Sequence, residues 1–428
     1  MSARMIETHH LPGLVTRDLF FDVPLDYSKP DRTIRVFARE LARPDQASRD
    51  LPYLVFFQGG PGFGSPRPTG PGGWIGRALA DYRVLLLDQR GTGRSTPLTA
   101  QMLDGMTPEA QATYVMQFRA DNIVRDAESI RQDLSPNRPW SILGQSYGGF
   151  CSFTYLSMAP QGLKEVFVTG GVPSLNRHVD DIYRACYPRV IEKNKRYFER
   201  YPGDRARVND IVAHLSAHRV ELPGGGLLTP RRFQQAGIAF GMSDGFETVH
   251  YLIEDAFIAL HDGTRALDRN FLVRFEHAQA FDTNPIYTLL HEGCYVQDGP
   301  TNWSAQRILA EFAEFRSGEP LFTGEMVFPW MLEDYTGLTP LKQAADIIAR
   351  HASWPLLYDA TALSRNSVPT ACAVYYDDLY VPREFSEETA RDVPNVQLWI
   401  TSEYEHNGLR ADGAKILDRL IGMVRGTV

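Results

Sequence analysis

Short, continuous apolar runs that end in glycine recur through the first 175 residues of the chain. They cover residues 54–57, 83–87, 140–143 and 165–168. Apolar runs without alternation are typical of strands that are buried on both faces. Helical periodicity lies between these runs, most clearly over 120–134, where apolar residues fall on one helix face. This alternation predicts a parallel sheet with right-handed helical crossovers.

The pattern differs on either side of these strands. Residues 14–23 and 33–42 are extended and apolar with turn residues between them, which predicts an antiparallel hairpin. From about residue 176 to residue 358, the chain shows mainly helical periodicity and no comparable strand runs. The clearest helical stretches in this block are 183–201, 245–260, 303–315 and 341–351.

The strand pattern returns near the C-terminus. Apolar runs occur at 370–376 and 396–401, and an amphipathic helix closes the chain. A parallel sheet that is interrupted by a helical block and then resumed indicates a core with an inserted cap. We therefore predict an α/β protein with a mostly parallel sheet. Its core comprises residues 1–175 and 359–428, and its helical cap domain comprises residues 176–358.

Composition and charge narrow the function classes. The chain has 428 residues, of which 43% are hydrophobic and 22% are charged, so it has enough apolar residues for a large core. Its net charge is −8 without any run of Lys or Arg, so we expect no nucleic-acid or membrane partner. Neither a membrane span nor a signal peptide is recognisable, and four scattered cysteines favour reduced thiols. We expect a cytoplasmic protein and make no prediction of its oligomeric state.

One serine lies in a glycine-flanked motif. The segment from Gly144 to Gly148 has the form G-x-S-x-G, with Ser146 at its centre. It follows a predicted strand and precedes a run that is compatible with a helix, which is the setting of a nucleophile elbow. The turn requires small neighbours, and the following helix N-terminus favours developing negative charge. We therefore predict Ser146 as a nucleophile, with an ordinary glycine turn as the alternative.

Acyl transfer from such a serine also needs backbone N–H donors for the oxyanion that develops. One donor is expected from Tyr147, the residue after the nucleophile, and the other from a loop after an earlier strand. Residues 58–62, with the sequence QGGPG, form that loop. We favour Gly60 as the second donor, with Gly59 as the alternative.

An acid and a base should follow the serine in the chain order Ser, acid, His. Asp377 and Asp378 end the predicted strand at 370–376, and Pro382 stands four residues after Asp378, as in a common hydrolase pattern. Asp378 is therefore the predicted acid, but adjacent strand residues point in opposite directions and Asp377 stays an alternative. His406, the last histidine of the chain, lies in a polar loop after the final strand and is the predicted base. This chemistry needs no metal and no organic cofactor, and we expect neither.

Together these motifs resemble those of the proline iminopeptidase family, in particular its longer bacterial type. The matching segments are 59–62 (GGPG), 88–95 (DQRGTGRS), 144–149 (GQSYGG), the Asp377–Asp378 pair and His406, with 245–250 and 322–330 in the helical block. Gln58 stands where the family usually has His. Because backbone N–H groups form the oxyanion hole, we expect the hole to be functional despite this difference. The resemblance implies a serine peptidase of the α/β-hydrolase fold.

The family's activity, removal of an unblocked N-terminal proline from small peptides, implies particular binding groups. The substrate presents a secondary ammonium beside the scissile carbonyl, so acidic side chains and a small apolar or aromatic pocket are needed. By resemblance, Glu325 is the first choice for the ammonium, and Glu247 and Glu292 are weaker choices. The candidates for the ring pocket are Phe246, Trp303 and Trp330.

Two other functions stay open. A lidded esterase, or an aminopeptidase of other specificity, could use the same triad. A catalytically inactive hydrolase-fold binding protein is the second alternative, and intact Ser146, Asp378 and His406 in the expected order argue against it. Epoxide hydrolases and dehalogenases normally place Asp at the elbow, so Ser146 argues against those classes.

Overall fold

The computed structural model describes residues 4–428, which are built around a nine-stranded sheet. The strands of the chain are β1 (Arg4–Leu11), β2 (Leu14–Asp26), β3 (Lys29–Ala42), β4 (Tyr53–Phe57), β5 (Arg83–Asp88), β6 (Trp140–Gln145), β7 (Leu163–Thr169), β8 (Phe257–Ala259), β9 (Arg265–Leu267), β10 (Thr370–Tyr375) and β11 (Val396–Thr401). The sheet order is β1-β2-β3-β5-β4-β6-β7-β10-β11, and β8 pairs with β9 in a separate hairpin.

The sheet is antiparallel at one end and parallel over the rest. β1, β2 and β3 are antiparallel neighbours, and β3 is also antiparallel to β5. From β5 to β11, every neighbouring pair is parallel. The predicted hairpin and the predicted parallel sheet are therefore confirmed.

Helices connect the strands. They are α1 (Gly73–Ala78), α2 (Pro108–Met116), α3 (Ala120–Leu134), α4 (Tyr147–Met158), α5 (Val179–Arg200), α6 (Asp204–Ala217), α7 (Pro230–Gln234), α8 (Gly245–Ile253), α9 (Arg269–Ala278), α10 (Pro285–Leu289), α11 (Ser304–Leu309), α12 (Met331–Asp334), α13 (Lys342–Arg350), α14 (Ala360–Leu363), α15 (Arg383–Asp392) and α16 (Gly408–Arg425). On one face of the sheet, α1 and α16 bury residues such as Trp74 and Leu417 against the strands. On the other face, α3 and α4 bury residues such as Ile130 and Phe153. Burial on both faces explains why the parallel strands are continuous apolar runs.

Strand β1 has no counterpart in the sequence-based prediction. It pairs with β2 at the edge of the sheet, and its residues are exposed up to Leu11. A strand without a buried face shows no regular spacing of apolar residues, so the sequence contains no signal for it.

The helix predicted over 245–260 is wrong in its second half. α8 ends at Ile253, and the chain then forms the β8–β9 hairpin. Gly263 in the hairpin turn has φ 83°, and Asp262 Oδ1 accepts a hydrogen bond from the Thr264 N–H at 2.9 Å. These turn residues favour chain reversal over helix continuation because they stabilise conformations outside the helical region.

Helices α5–α13 and the β8–β9 hairpin all lie in the connection between β7 and β10. We call residues 176–358 the cap segment, and residues 4–175 and 359–428 the core segments. Among the described residues, no helix combines the length and the apolar character that crossing a membrane requires.

Candidate active site

Ser146 occupies a strained turn between β6 and α4. Its backbone has φ 55° and ψ −123°, a conformation that residues other than glycine rarely adopt. The turn packs so tightly that a Cβ at Gly148 would lie 1.9 Å from the Phe57 carbonyl oxygen. The serine is thereby held at the carboxyl end of β6 and at the N-terminus of α4, as in a nucleophile elbow.

Three side chains from distant parts of the chain form a hydrogen-bonded series at this turn. His406 Nε2 lies 2.8 Å from Ser146 Oγ, and His406 Nδ1 lies 2.8 Å from Asp378 Oδ2. Asp378 Oδ1 accepts hydrogen bonds from the backbone N–H groups of Tyr380 and Val381, at 2.8 and 3.1 Å. These bonds orient the carboxylate toward the imidazole. In this arrangement a histidine can accept a proton from a serine hydroxyl.

Asp377 and Asp378 are neighbours in sequence but have opposite environments. The Asp378 side chain is 1% exposed, whereas the Asp377 side chain is 43% exposed and bonded to Arg196 Nη1 at 2.9 Å. Strand β10 ends at Tyr375, and the chain after it turns only Asp378 toward the interior. Of the two candidate acids, Asp378 is therefore the one that contacts His406.

Opposing effects act on the pKa of His406. Burial lowers this pKa because desolvation disfavours the imidazolium. The Asp378 carboxylate raises it through charge and hydrogen bonding, and the charge of Glu325 raises it further. The net result is a pKa above the ordinary histidine value, so the site stabilises the imidazolium that would form after proton transfer.

The cap segment holds the loop that carries His406. The His406 N–H donates to the Gly241 carbonyl oxygen at 3.0 Å. Asn407 Oδ1 accepts hydrogen bonds from the N–H and the hydroxyl of Ser243, at 3.0 and 2.9 Å. The position of the imidazole thus depends on the cap segment as well as on the sheet.

A crevice of about 180 Å³ opens at the Ser146 hydroxyl, between the core segments and the cap segment. The core segments line it with Gln58, Gly59, Gly60, Phe63, Gln145, Ser146, Tyr380, His406 and Arg410, and the cap segment lines it with Ile238, Met242, Tyr287 and Glu325. Acidic, basic and aromatic side chains therefore surround the serine.

The predicted oxyanion-hole residues lie beside Ser146. Tyr147 is the first residue of α4, so its N–H has no carbonyl partner within the helix. Gly59 and Gly60 both line the crevice, and a Cβ at Gly59 would lie 2.9 Å from the Ser146 Cβ. The loop at 58–62 therefore passes directly against the serine.

Glu325 is the only one of the three predicted ammonium-binding carboxylates that lines the crevice. The Tyr287 hydroxyl donates a hydrogen bond to Glu325 Oε1 and so orients the carboxylate from within the cap segment. Because its charge raises the pKa of His406, Glu325 interacts electrostatically with the imidazole.

The other two predicted carboxylates are not among the crevice-lining residues. Glu247 accepts a hydrogen bond from Arg200 Nη1 at 2.8 Å in an exposed ion pair. Glu292 is buried, and its Oε1 accepts a hydrogen bond from the Ala305 N–H at 2.9 Å. Burial raises the pKa of Glu292 to about 7. Both carboxylates therefore have partners within the protein instead of a place beside Ser146.

The three predicted ring-pocket aromatics are also missing from the crevice lining. Phe246 packs edge-on against Tyr197, with the ring centroids 5.7 Å apart. The Trp303 indole N–H donates to Asp346 Oδ1 at 3.2 Å, and Trp330 stacks on a neighbouring phenylalanine ring. These side chains contribute to packing, because an aromatic ring buries a large apolar area wherever it lies.

Three aromatic residues that the sequence analysis does not identify line the crevice instead: Phe63, Tyr287 and Tyr380. Two of them have a signal in the sequence, since Phe63 directly follows the glycine-rich loop and Tyr380 lies two residues after Asp378. The Tyr380 ring packs edge-on against the His406 ring, with the centroids 4.6 Å apart. Tyr287 has no local signal, because only the folding of the cap segment brings it to the serine.

One group of possible metal ligands occurs among the described residues, on β1 and β2. Glu7, His9 and Asp18 bring their ligand atoms within 4.8 Å of one another. Asp18 is already bonded to Arg39 at 2.7 Å and also pairs with Arg94. Because these cations occupy the Asp18 carboxylate, the group is poorly suited to holding a metal ion.

Comparisons with known proteins show what the chain is similar to. A family model described as the alpha/beta hydrolase fold matches residues 52–235. A proline iminopeptidase of Aeromonas sobria is 50% identical over 420 residues, which cover 97% of this chain and 98% of that protein. Proline iminopeptidase aneH of Aspergillus aculeatus is 34% identical over 443 residues, which cover 98% of this chain and 97% of that protein. A solved proline iminopeptidase of Mycobacterium smegmatis aligns with a TM-score of 0.46 and 13% identity, over 95% of this chain and 98% of its own.

Proposed function

The chain belongs to the proline iminopeptidase family of the α/β-hydrolase fold, and from this premise we propose that it releases an unblocked N-terminal proline from small peptides. We propose Ser146 as the nucleophile, His406 as the general base and Asp378 as the acid of the triad. The observation that carries the proposal is the series of two 2.8 Å contacts that links these side chains. Glu325 in the same crevice supports the choice of a cationic substrate.

In the first half of the reaction, Ser146 Oγ attacks the carbonyl carbon of the prolyl residue while His406 Nε2 accepts the hydroxyl proton. Asp378 holds the Nδ1–H tautomer of His406 and stabilises the imidazolium. The oxyanion accepts hydrogen bonds from the N–H of Tyr147 and from Gly60 or Gly59. The imidazolium then donates its proton to the leaving amine, which breaks the C–N bond and leaves a prolyl ester on Ser146.

In the second half, water attacks the prolyl ester and His406 accepts a proton from that water. The tetrahedral intermediate collapses, the proton returns to Ser146 Oγ, and free proline leaves. Each step uses only groups of the triad and the oxyanion hole, so the reaction requires neither a metal nor an organic cofactor.

Specificity for an unblocked proline follows from the composition of the crevice. The Glu325 carboxylate pairs with the secondary ammonium of the substrate, and Phe63, Tyr287 and Tyr380 surround the pyrrolidine ring. An acetylated proline has no charge for Glu325 and needs additional space. We further propose that residues 176–358 act as a cap domain that denies this space to longer N-terminal extensions.

A substrate panel tests the proposal. We expect the protein to hydrolyse prolyl 4-nitroanilide, and to act at least about tenfold more slowly on the acetylated analogue, which loses a charge-assisted contact. Ser146→Ala should lower kcat by about 10⁴-fold or more and should abolish labelling by a fluorophosphonate probe. Equal turnover of the free and acetylated anilides would favour an esterase or another amidase. An unlabelled wild-type protein would favour an inactive scaffold.

The cytoplasmic location expected from the sequence is also part of this proposal. When cells that produce the protein are fractionated, activity against prolyl 4-nitroanilide should be recovered in the cytoplasmic fraction. Recovery of the activity outside that fraction would contradict the expectation.

A further inference from the structure

A second cavity adjoins the crevice that contains Ser146. Its volume is about 420 Å³, and Gln58, Gln145 and Arg410 line both spaces. The remaining wall consists of core-segment residues and is partly apolar, with Phe56, Trp74 and Leu409 among them. Because three residues belong to both linings, a molecule bound at the serine could continue from one space into the other.

Arg410 lies where the two cavities meet. It follows His406 by four residues, on the first turn of α16, and its N–H donates to the Asn407 carbonyl oxygen at 2.8 Å. The side chain is exposed. Among the residues that the structure describes, no carboxylate and no hydrogen-bond acceptor contacts its guanidinium. A free guanidinium suits a planar carboxylate, since it offers several donors in a fixed fork.

Charges of opposite sign therefore lie on the path that a substrate would follow. Glu325 lines only the crevice at Ser146, whereas Arg410 lines both that crevice and the second cavity. Both charges act on the imidazole of His406, since Glu325 raises its pKa and Arg410 lowers it. A dipeptide at neutral pH has an ammonium at one end and a carboxylate at the other, which matches this arrangement.

We propose that the second cavity is a leaving-group subsite, and that Arg410 binds the α-carboxylate of the residue that follows proline. This inference rests on the proposed function, because it takes Ser146 as the attacking group and Glu325 as the partner of the proline ammonium. The side chain of the leaving residue lies in the larger cavity, against Trp74 and Leu409. A dipeptide brings its carboxylate to Arg410, whereas a longer peptide carries its carboxylate past Arg410, so the subsite favours dipeptides.

The test compares two substrates that differ only at the C-terminus: prolyl-leucine and prolyl-leucinamide. We expect wild-type kcat/KM to be higher for the free acid by about fivefold, a ratio typical of a partly exposed charge pair. In Arg410→Gln this ratio should fall to near one, and Arg410→Lys should restore part of it. Arg419→Gln is the matched control, because Arg419 is exposed on the same helix and lines neither cavity. The control should keep the wild-type ratio.

The outcomes separate this inference from the proposed function. A wild-type protein that hydrolyses both substrates at equal kcat/KM would overturn the carboxylate subsite and leave the peptidase proposal intact. An equal loss of activity on both substrates in Arg410→Gln would also overturn the carboxylate subsite and leave the peptidase proposal intact, because that result would indicate an effect on His406 instead. If the wild type hydrolyses neither of them, nor prolyl 4-nitroanilide, the proposed function itself fails.

Discussion

At the scale of single residues, Asp377 and Asp378 provide a matched pair for testing the triad. Asp378→Asn should reduce kcat for prolyl 4-nitroanilide by about 10⁴-fold, because an amide cannot hold His406 in the required tautomer or stabilise its charged form. Asp377→Asn removes an exposed ion pair with Arg196 and should change kcat by less than about twofold. Steady-state kinetics of both variants, with circular dichroism to verify folding, makes the comparison. Comparable losses in the two variants would contradict the assignment of Asp378.

The raised pKa of His406 leads to a pH dependence with a definite sign. Only the neutral imidazole accepts the Ser146 proton, so kcat/KM should fall as the pH drops through the pKa of His406. The Asp378 carboxylate raises that pKa, so the acid limb should lie above the ordinary histidine value of about 6.5. In Asp378→Asn, burial still lowers the pKa of His406, but the carboxylate charge that raises this pKa is gone. The residual activity should therefore titrate at lower pH. Profiles of kcat/KM against pH for the two proteins measure the difference, and an identical acid limb would contradict it.

Glu325 and Glu247 form a second matched pair. Glu325→Gln keeps the size of the side chain but removes the charge, so KM for prolyl 4-nitroanilide should rise by about 10- to 100-fold. Turnover of a simple acetate ester, which lacks an ammonium, should fall far less. Glu247→Gln affects an exposed pair with Arg200 and should leave both substrates near wild-type values. An equal loss on the amide and the ester would show that Glu325 has a structural role.

At the scale of elements, an ion pair connects α5 to the loop that carries His406. Lys193 on α5 is buried and pairs with Glu405, the residue before His406. Burial raises the pKa of Glu405 above its ordinary value, and the charge and hydrogen bond of Lys193 offset only part of this effect. Lys193→Ala would leave that carboxylate partly buried without its cation. We expect a loss of about 1–3 kcal/mol in the free energy of unfolding, together with a lower kcat.

An exposed ion pair between α16 and the same loop provides the control for Lys193→Ala. Lys415 pairs with Glu403 at 2.8 Å, and both side chains are exposed. Lys415→Ala should leave the free energy of unfolding close to the wild-type value, since solvent screens the pair. Urea unfolding of both variants measures the difference. Equal stabilities would show that the Lys193 contact does not anchor the loop.

At the scale of the whole molecule, Arg119 joins the core and cap segments. It immediately precedes α3, is buried, and donates to the carbonyl oxygens of Gly293, Val296 and Pro355 in the cap segment. Burial lowers the pKa of Arg119. Arg119→Ala would leave three carbonyl groups without their donor. We expect it to lower the free energy of unfolding by about 3 kcal/mol or more.

The matched control is Arg138→Ala. Arg138 pairs with Asp50 at the protein surface, where the exposed fractions of the two side chains are 40% and 89%. Its removal should change stability by less than about 1 kcal/mol. Thermal unfolding followed by circular dichroism compares the variants, and a small shift for Arg119→Ala would mean that other contacts hold the cap segment in place.

Much of this protein is predictable from local patterns in its sequence. The parallel strands are recognisable because they are buried on both faces, and burial restricts them to apolar residues over a short, continuous run. Ser146 is identifiable because a strained turn between a strand and a helix requires small residues two positions from the serine, such as Gly148. His406 is recognisable as the histidine of the polar loop that directly follows the last strand. These features share one physical basis: each constraint acts on residues that are close together along the chain.

Only the tertiary structure could decide which side chains meet at the crevice. The sequence does not show how the chain turns after β10, and that turn separates a buried Asp378 from an exposed Asp377. Nor does it show that Glu325 lines the crevice while Glu292 bonds elsewhere in the interior. Such placements depend on side-chain direction and on contacts between segments far apart in sequence. The packing of the whole chain determines those contacts, and short sequence patterns do not predict that packing.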